Sequence, residues 1–147
     1  MLHTKIIDAS VEKIEISNAE DFLNSSKFGA IIYFVGTVRD NNENKEVKGI
    51  TYDAKDSMVI KSFEEIYNEA ENELGIKNKA VFIEHVKGYV GLSEKSIVIG
   101  VGCKHRDEAY RLSRFIIEEI KKRTPIWKKE HYKNDESEWL KGISLTQ

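Results

Sequence analysis

Five cationic side chains fall within ten residues near the C-terminal end of the chain. Three of them, at 121–123, precede Pro125, which is the only proline, and Lys128 and Lys129 follow it. A helix that ends before Pro125 leaves its last-turn cations beside the segment after the proline. Because like charges at such short range repel one another unless an anion or solvent lies among them, the segment predicts an anion-binding site.

Two further groups of cations occur where predicted strands end. Arg39 follows a long apolar run, and Lys104, His105 and Arg106 separate a strand from the helix after it. Functional groups often lie on loops at the ends of rigid elements, and the free N–H groups of a helix start add affinity for anions. Each cation taken alone is most simply a solvated loop charge or a last-turn charge. The hypothesis of a site therefore rests on their combination.

The elements that must position these residues include two long helices and one short helix. Apolar residues at helical spacing predict the long helices over 56–74 and from 107 to about 122. Asp56 is the expected N-cap of the first, and Gly75 is expected just after its end. Ser17 and Glu20 have the spacing of a capping box, which predicts the start of the short helix.

About five strands accompany the helices. The predicted segments are 4–8, 29–38, 47–53, 80–87 and 95–102, with 126–132 also extended. The almost wholly apolar run at 29–38 predicts a buried strand, and we expect 47–53 to pair with it as a hairpin across the polar loop 40–46. A hairpin in place of a crossover favours an α+β fold with a mainly antiparallel sheet over a doubly wound parallel sheet.

Length and composition bound the class of protein. The 147 residues fit a single domain over 1–147, with a tail after about residue 140 that we expect to be mobile. A net charge of −2 argues against a general polyanion binder, so phosphate recognition must be local. No apolar run approaches the roughly 20 residues of a membrane span, and we expect a cytoplasmic protein.

The residues that most often bind metals or act as nucleophiles give weak signals here. The single Cys103 cannot form an intrachain disulfide framework or a multi-cysteine metal site. His3 and His131 have no partners at metal-ligand spacing, so we predict no metal site. Cys103 is expected to be a packed side chain, and the mid-strand His85 is expected to be a packed or surface histidine and not a ligand.

Four segments, in this order and at these separations, resemble one known family. They are GAIIYFVGTVRDNN at 29–42, KHRDEAY at 104–110, RLSRFIIEEIKKR at 111–123 and TPIWKKE at 124–130. Together they resemble the catalytic (large) subunit of molybdopterin synthase over roughly residues 28–140. The resemblance implies an α/β-hammerhead fold, which agrees with the α+β layout predicted above.

The resemblance implies a sulfurtransferase reaction. Members of that family install two dithiolene sulfurs on cyclic pyranopterin monophosphate (precursor Z) to form molybdopterin, a step in molybdenum cofactor biosynthesis. Sulfur arrives as the C-terminal thiocarboxylate of a small ubiquitin-like carrier, whose Gly-Gly tail enters a pocket of the large subunit. The large subunits form a homodimer with one carrier at each end, which makes a heterotetramer. No metal or organic cofactor takes part in the transfer.

The resemblance also implies the site residues. Lys121 corresponds to the essential lysine, expected to act as acid, base or transient nucleophile with a pKa lowered by nearby cations. Lys128 corresponds to a second pocket lysine that stabilises an anionic intermediate. The other implied substrate-binding positions are Thr37, Val38, Arg39, His105, Arg106, Lys129 and Glu130. In the family, the arginine and the His-Arg pair reach the pocket from the partner subunit.

Two alternatives would use the same cationic patch. A phosphate-, nucleotide- or RNA-binding module is one, although a nucleic-acid module more often has a basic domain with exposed stacking aromatics. A non-catalytic scaffold that holds a ubiquitin-like partner is the other. The presence of both Lys121 and Lys128 argues against the scaffold, which has no need of either.

Overall fold

The computed structural model describes residues 1–134 and 137–139, the last three by their backbone alone. The tail after about residue 140, which was predicted to be mobile, lies outside what it describes. The elements are β1 Leu2–Asp8, α1 Ile16–Leu23, β2 Ala30–Thr37, β3 Asn41–Asn42, β4 Lys45–Ala54, α2 Asp56–Leu74, β5 Lys79–Gly91, β6 Lys95–Cys103, α3 Arg106–Arg123, β7 Ile126–Tyr132 and β8 Ser137–Trp139. Mostly antiparallel strands with separate helices confirm the predicted α+β class.

Strand β5 joins two parts of the sheet, whose strand order is β2-β6-β5-β4-β7-β8. Residues 79–85 of β5 pair with β6, while residues 88–91 pair with β4. β1 lies parallel to β5 on the edge of its first part. Gly88 lies at the changeover with φ +99°, a conformation that other residues rarely adopt. The changeover opens a cleft between the two parts of the sheet.

The two long helices pack against each other and supply much of the core. Phe63 and Ile66 of α2 and Leu112 and Ile116 of α3 are fully buried, as their helical spacing predicts. α3 also packs on β6 and β2, so its orientation relative to the sheet is fixed along its length.

The ends of the helices differ in part from the prediction. α2 ends at Gly75, whose φ of +68° is the predicted left-handed cap. Asp56 is the first residue of α2 and Lys55 precedes it as N-cap, so the predicted cap was wrong by one residue. Ser17 lies inside α1 and Glu15 is its N-cap, so the predicted capping box was also wrong.

The predicted hairpin between 29–38 and 47–53 was wrong. β2 pairs with β6, and β4 pairs with β5 and β7 in the other part of the sheet. The polar loop instead forms the small β3–β4 hairpin, in which Glu43 and Asn44 have positive φ. The expectation that β2 is buried was wrong as well, because none of its eight residues is buried in the single chain. β2 is the first strand of the sheet and has one strand neighbour.

Candidate active site

A cavity of about 300 Å³ lies in the cleft between the two parts of the sheet. Its walls come from β2, β4, β6, β7 and the last turns of α3, with the loop around Arg39 on one side. Its volume suits one small organic molecule. The lining residues are Phe34, Gly36, Thr37, Arg39, Asn41, Asn42, Val47, Ile50, Tyr52, His85, Ser96, Ile97, Ile117, Lys121, Lys128 and Glu130.

The pocket brings together three cations that are far apart in sequence. Arg39, Lys121 and Lys128 line it, beside the carboxylate of Glu130. These ionised groups carry an excess of two positive charges. Glu130 is 2% exposed, and its Oε1 accepts a hydrogen bond of 2.7 Å from the Asn42 amide. The arrangement therefore favours an anionic ligand or two singly charged anions together.

Lys128 is the pocket lysine whose titration the site changes. Burial lowers the pKa of the Lys128 amine first, and the charges of Lys121 and Arg39 lower it further, while Glu130 acts in the opposite direction. From the resemblance, we expected a lowered pKa at Lys121. A buried amine with a lowered pKa accepts or releases a proton more readily at neutral pH than an ordinary lysine does.

The end of α3 holds Lys121 at the pocket. Thr124 follows the helix and is fully buried, and its hydroxyl is 2.8 Å from that of Ser62 in α2. Arg123 forms an ion pair with Glu69 of the same helix, α2. Pro125 then turns the chain into β7, where alternation places Lys128 and Glu130 on one face.

Four of the predicted site residues lie away from this cavity in the single chain. Val38 is 2% exposed and packs into the core, and its backbone bonds to Ser93 and Glu94. Lys129 lies on the opposite face of β7 from the pocket. His105 caps the start of α3 and Arg106 is its first residue, about 22 Å along the helix from Lys121.

Arg39 lies in the pocket of its own chain. The resemblance implied that this arginine arrives from a partner subunit, yet its charge already acts on Lys128 of the same chain. The pocket of one chain therefore contains three of the implied cations, while His105, Arg106 and Lys129 lie outside it.

Five polar residues that line the pocket were not predicted as site residues. They are Asn41 and Asn42 of β3, Tyr52 of β4, His85 of β5 and Ser96 of β6. Gly88 within an otherwise regular strand was the available signal for His85, because a glycine there marks a bend where the sheet opens. No comparable signal distinguishes Asn42 from its neighbours in the polar loop.

Cys103 has no role in this pocket. It is fully buried at the end of β6, and burial raises the pKa of its thiol to about 11. A thiol held in its neutral form is a poor nucleophile, which agrees with the prediction that Cys103 is a packed residue.

The part of the chain that the structure describes has neither a cluster of metal ligands nor a helix of membrane-spanning character. No group of three or more His, Cys, Asp or Glu side chains there is arranged to hold a metal ion. None of the helices described has the length together with the apolar character that crossing a membrane requires.

Comparison with known proteins identifies the family. The family model described as MoaE protein matches residues 9–123. The molybdopterin synthase catalytic subunit of Synechococcus elongatus is 38% identical over 141 residues, which are 96% of this chain and 85% of that protein. The subunit of the same name from Pyrococcus abyssi is 38% identical over 132 residues, 89% of this chain and 86% of that protein.

Solved structures agree with the sequence relatives. Molybdopterin synthase from Staphylococcus aureus superposes with a TM-score of 0.84 at 29% identity, covering 93% of this chain and 96% of that one. A complex of subunits 1 and 2 of the molybdopterin-converting factor from Helicobacter pylori gives a TM-score of 0.75 at 26% identity, covering 96% and 92%.

The fold and the pocket together define an α+β protein with a cationic site for a small anionic ligand. The chain belongs to the MoaE protein family. Lys128 and Glu130 lie beyond the matched residues 9–123, but the Synechococcus relative covers nearly the whole chain.

Proposed function

We propose that this chain is the catalytic subunit of a molybdopterin synthase. It transfers sulfur from the thiocarboxylate of a small carrier protein to cyclic pyranopterin monophosphate, which yields the dithiolene of molybdopterin. The family membership supports the reaction, and the excess of two positive charges in the pocket supports the substrates. A cyclic phosphate and a thiocarboxylate carry one negative charge each, so together they balance that excess.

The two pocket lysines come from different elements and have different roles in the proposed reaction. Lys121 lies in the last turn of α3 and Lys128 in β7, and both side chains line the pocket. The cyclic phosphate and the thiocarboxylate repel each other. Cations that are already positioned in the pocket offset this repulsion. We assign Lys121 and Lys128 as the catalytic lysines, with proton transfer at Lys128 favoured by its lowered pKa.

Arg39 and Thr37 complete the substrate-binding wall within the chain. A guanidinium binds phosphate oxygens through two parallel N–H donors, which fixes orientation as well as charge. Glu130 is held by Asn42 and adds an acceptor to the same wall. No metal or organic cofactor has a role in this assignment.

The partner that we propose is a small ubiquitin-like sulfur carrier. The Helicobacter neighbour was solved as a complex of the two subunits of its converting factor. A flexible Gly-Gly tail has no side chains, so it can approach a pterin in the pocket more closely than a tail with larger residues can.

A second copy of the chain supplies His105 and Arg106 in this proposal. β2 has an apolar and unburied edge, with Ile31 38% and Val35 37% exposed. Such an edge is suited to pairing with another strand. β2 begins beside the start of α3, where a Cβ added at Gly29 would lie 2.5 Å from the Lys104 carbonyl oxygen, and it ends at Thr37 in the pocket.

Antiparallel pairing of two β2 edges about a two-fold axis exchanges these two ends. The first residues of β2 in one copy then lie beside the last residues of β2 in the other. β2 is about 23 Å long, close to the 22 Å between Arg106 and Lys121 along α3. The homodimer thereby brings His105 and Arg106 of one copy to the pocket of its partner, and a carrier on each copy makes a heterotetramer.

The alternatives fit less well. Neither a nucleotide-binding module nor a non-catalytic scaffold is favoured by relatives named as catalytic subunits. We also place the reaction in the cytoplasm, because a reducing compartment keeps both the carrier thiocarboxylate and the lone thiol of Cys103 in their reduced forms.

The test is a turnover assay with purified chain, thiocarboxylated carrier and the cyclic pyranopterin monophosphate. We expect dithiolene formation by the wild type and a loss on the order of 100-fold or more for Lys121→Ala. Lys122→Ala is the matched control, since Lys122 is exposed on the same turn and pairs with Glu119. Unchanged turnover in Lys121→Ala would remove that residue from the site. Carrier binding without product from the wild type would favour the scaffold.

A further inference from the structure

His85 is a buried histidine that faces the pocket with one nitrogen unpaired. The residue is 1% exposed and lies among the lining residues. Its Nδ1 is 2.7 Å from the Val86 carbonyl oxygen, which can only accept, so Nδ1 carries the proton. Nε2 has no hydrogen-bond partner among the described residues. Burying an acceptor without a donor is unfavourable, so the unpaired Nε2 suggests that a donor from outside the chain binds there.

The neutral form of His85 is favoured throughout the working range of pH. Burial lowers the pKa of the imidazole to about 4, and the charge of Lys128 acts in the same direction. With Nδ1 protonated and the ring neutral, Nε2 is a hydrogen-bond acceptor and cannot donate. The bond to Val86 also fixes the orientation of the ring.

The hydroxyl groups around His85 are already engaged. Ser96 donates to the Gly36 carbonyl oxygen at 3.2 Å, and its hydroxyl also acts on Tyr52, where it opposes the rise in pKa that burial causes. The Tyr52 ring meets the His85 ring edge to face, with centroids 5.0 Å apart. The protein therefore offers Nε2 a packed environment and no free hydroxyl.

Glu130 is a second pocket residue with a buried acceptor atom that has no donor. Its Oε1 accepts from Asn42, but its buried Oε2 has no partner among the described residues. The pocket thus holds two buried acceptors without donors as well as its three cations. Anions satisfy the cations, and only a ligand that also carries N–H or O–H groups satisfies the acceptors.

We propose that His85 is a substrate-binding residue whose Nε2 accepts a hydrogen bond from an N–H group on the heterocyclic ring of the bound pterin. The assignment rests on the proposed function. The 2-amino-4-oxopyrimidine part of a pterin offers an amide N–H and an amino group side by side, while its phosphate lies at the opposite end of the molecule. His85 and Glu130 thereby bind the ring, and Arg39, Lys121 and Lys128 bind the charged groups.

The carrier tail is the less suitable donor. Its peptide N–H groups lie next to a thiocarboxylate, which the nearby Glu130 carboxylate repels. A neutral pterin edge meets no such repulsion. Lys128 lines the same pocket, and the long side chain of a lysine can move aside for a ring at little strain.

Two substitutions distinguish the roles of the two ring nitrogens of His85. In His85→Asn the amide nitrogen takes the place of Nδ1 and still donates to Val86, but nothing replaces Nε2. In His85→Gln the amide reaches the place of Nε2 and offers an acceptor there. We expect His85→Asn to bind the cyclic pyranopterin monophosphate roughly 10- to 100-fold more weakly than the wild type, with His85→Gln much closer to the wild type.

The measurements are the dissociation constants of the pterin and of the carrier, each with a thermal unfolding control. Selective ¹⁵N labelling adds a direct readout, because Nε2 of His85 should shift upfield when the pterin binds. Unchanged pterin affinity in His85→Asn would overturn the proposal, as would equal losses in both variants. Weaker carrier binding with normal pterin binding would assign the donor to the carrier tail. If the wild type turns over substrate, the proposed function stands whatever the His85 variants do. If the wild type binds no pterin, both the proposed function and the role of His85 are overturned.

Discussion

Lys128 shows how one side chain combines burial and charge. It lies in a cleft with two other cations, and its pKa is lowered by burial and by the charges of Lys121 and Arg39. A lysine is protonated below its pKa, so a lowered pKa means that the charged form is lost at a lower pH than for an ordinary lysine. Changing a neighbouring charge therefore moves the pH at which the pocket loses this cation.

Arg39→Gln should move the alkaline limb of the pH–activity profile to higher pH. Removing the guanidinium removes a repulsion of the protonated amine, so the pKa of Lys128 rises towards its ordinary value. The same change should reduce kcat/KM by roughly 10- to 100-fold through the lost contact with the anion. The profile of kcat/KM against pH measures both effects.

Arg114→Gln is the control for that experiment. Arg114 is exposed on α3 and pairs with Glu118 at 3.2 Å, away from the pocket lining. Glu130→Gln should give the opposite displacement, since the Glu130 carboxylate raises the pKa of Lys128. An alkaline limb that stays in place in Arg39→Gln would show that Lys128 does not control it.

The sequence identified the pocket cations better than the pocket acceptors. Arg39, Lys121 and Lys128 lie next to element ends or a proline, and such positions can be recognised in a linear pattern. His85 lies in the middle of a strand, where it was expected to be a packed or surface residue. Its position at the pocket depends on the bend at Gly88, which a pattern of side chains does not specify.

At the scale of elements, the junction of α3 with α2 decides where Lys121 lies. The hydroxyl groups of Ser62 and Thr124 are both buried and satisfy each other at 2.8 Å. The ion pair of Arg123 with Glu69 lies beside them and is more exposed, so it contributes less. The buried hydroxyl pair is therefore the contact to test.

Thr124→Val should destabilise the protein by about 1–3 kcal/mol, because it keeps the shape but leaves the Ser62 hydroxyl buried without a partner. Adding Ser62→Ala removes the unsatisfied group, so the double variant should lose less than the sum of the two single variants. Urea unfolding of the three variants gives the coupling. Strict additivity would mean that the two hydroxyls act independently.

Strand partners were harder to predict than strands. Alternation and apolar runs located β2, β4, β5 and β6, but the predicted partner of β2 was its neighbour in sequence. The real partner, β6, lies some 60 residues later in the chain. An apolar run shows that a strand needs cover and does not show whether a neighbouring strand, a helix or a second copy provides it.

At the scale of the whole molecule, the two ends of α3 contribute residues to two different pockets in the proposed dimer. Lys121 serves the pocket of its own chain, and Arg106 serves the pocket of the partner in the proposed dimer. This division makes a quantitative prediction for mixtures of two inactive variants, because each variant can supply what the other lacks.

Lys121→Ala and Arg106→Ala chains, unfolded together and refolded in equal amounts, should recover activity in about a quarter of the pockets. Half of the dimers formed at random are mixed, and one of the two pockets in each mixed dimer contains both side chains. The specific activity of the mixture, compared with each parent alone, is the measurement.

Lys121→Ala mixed with Lys128→Ala provides the matched control. Both lysines belong to the same pocket of the same chain, so no mixed dimer contains an intact pair and activity should stay at the level of the parents. Recovery in this control, or none in the first mixture, would contradict the exchange of residues between copies.

The open edge of β2 also affects how the protein reaches its assembled state. A chain that has folded but not yet met a second copy exposes an eight-residue apolar strand that any other extended segment can extend. Dimerisation thus competes with aggregation from the moment the fold is complete. The yield of active protein is then set by the rate of partner encounter as well as by the stability of the fold, and faster encounter between copies protects the newly made chain.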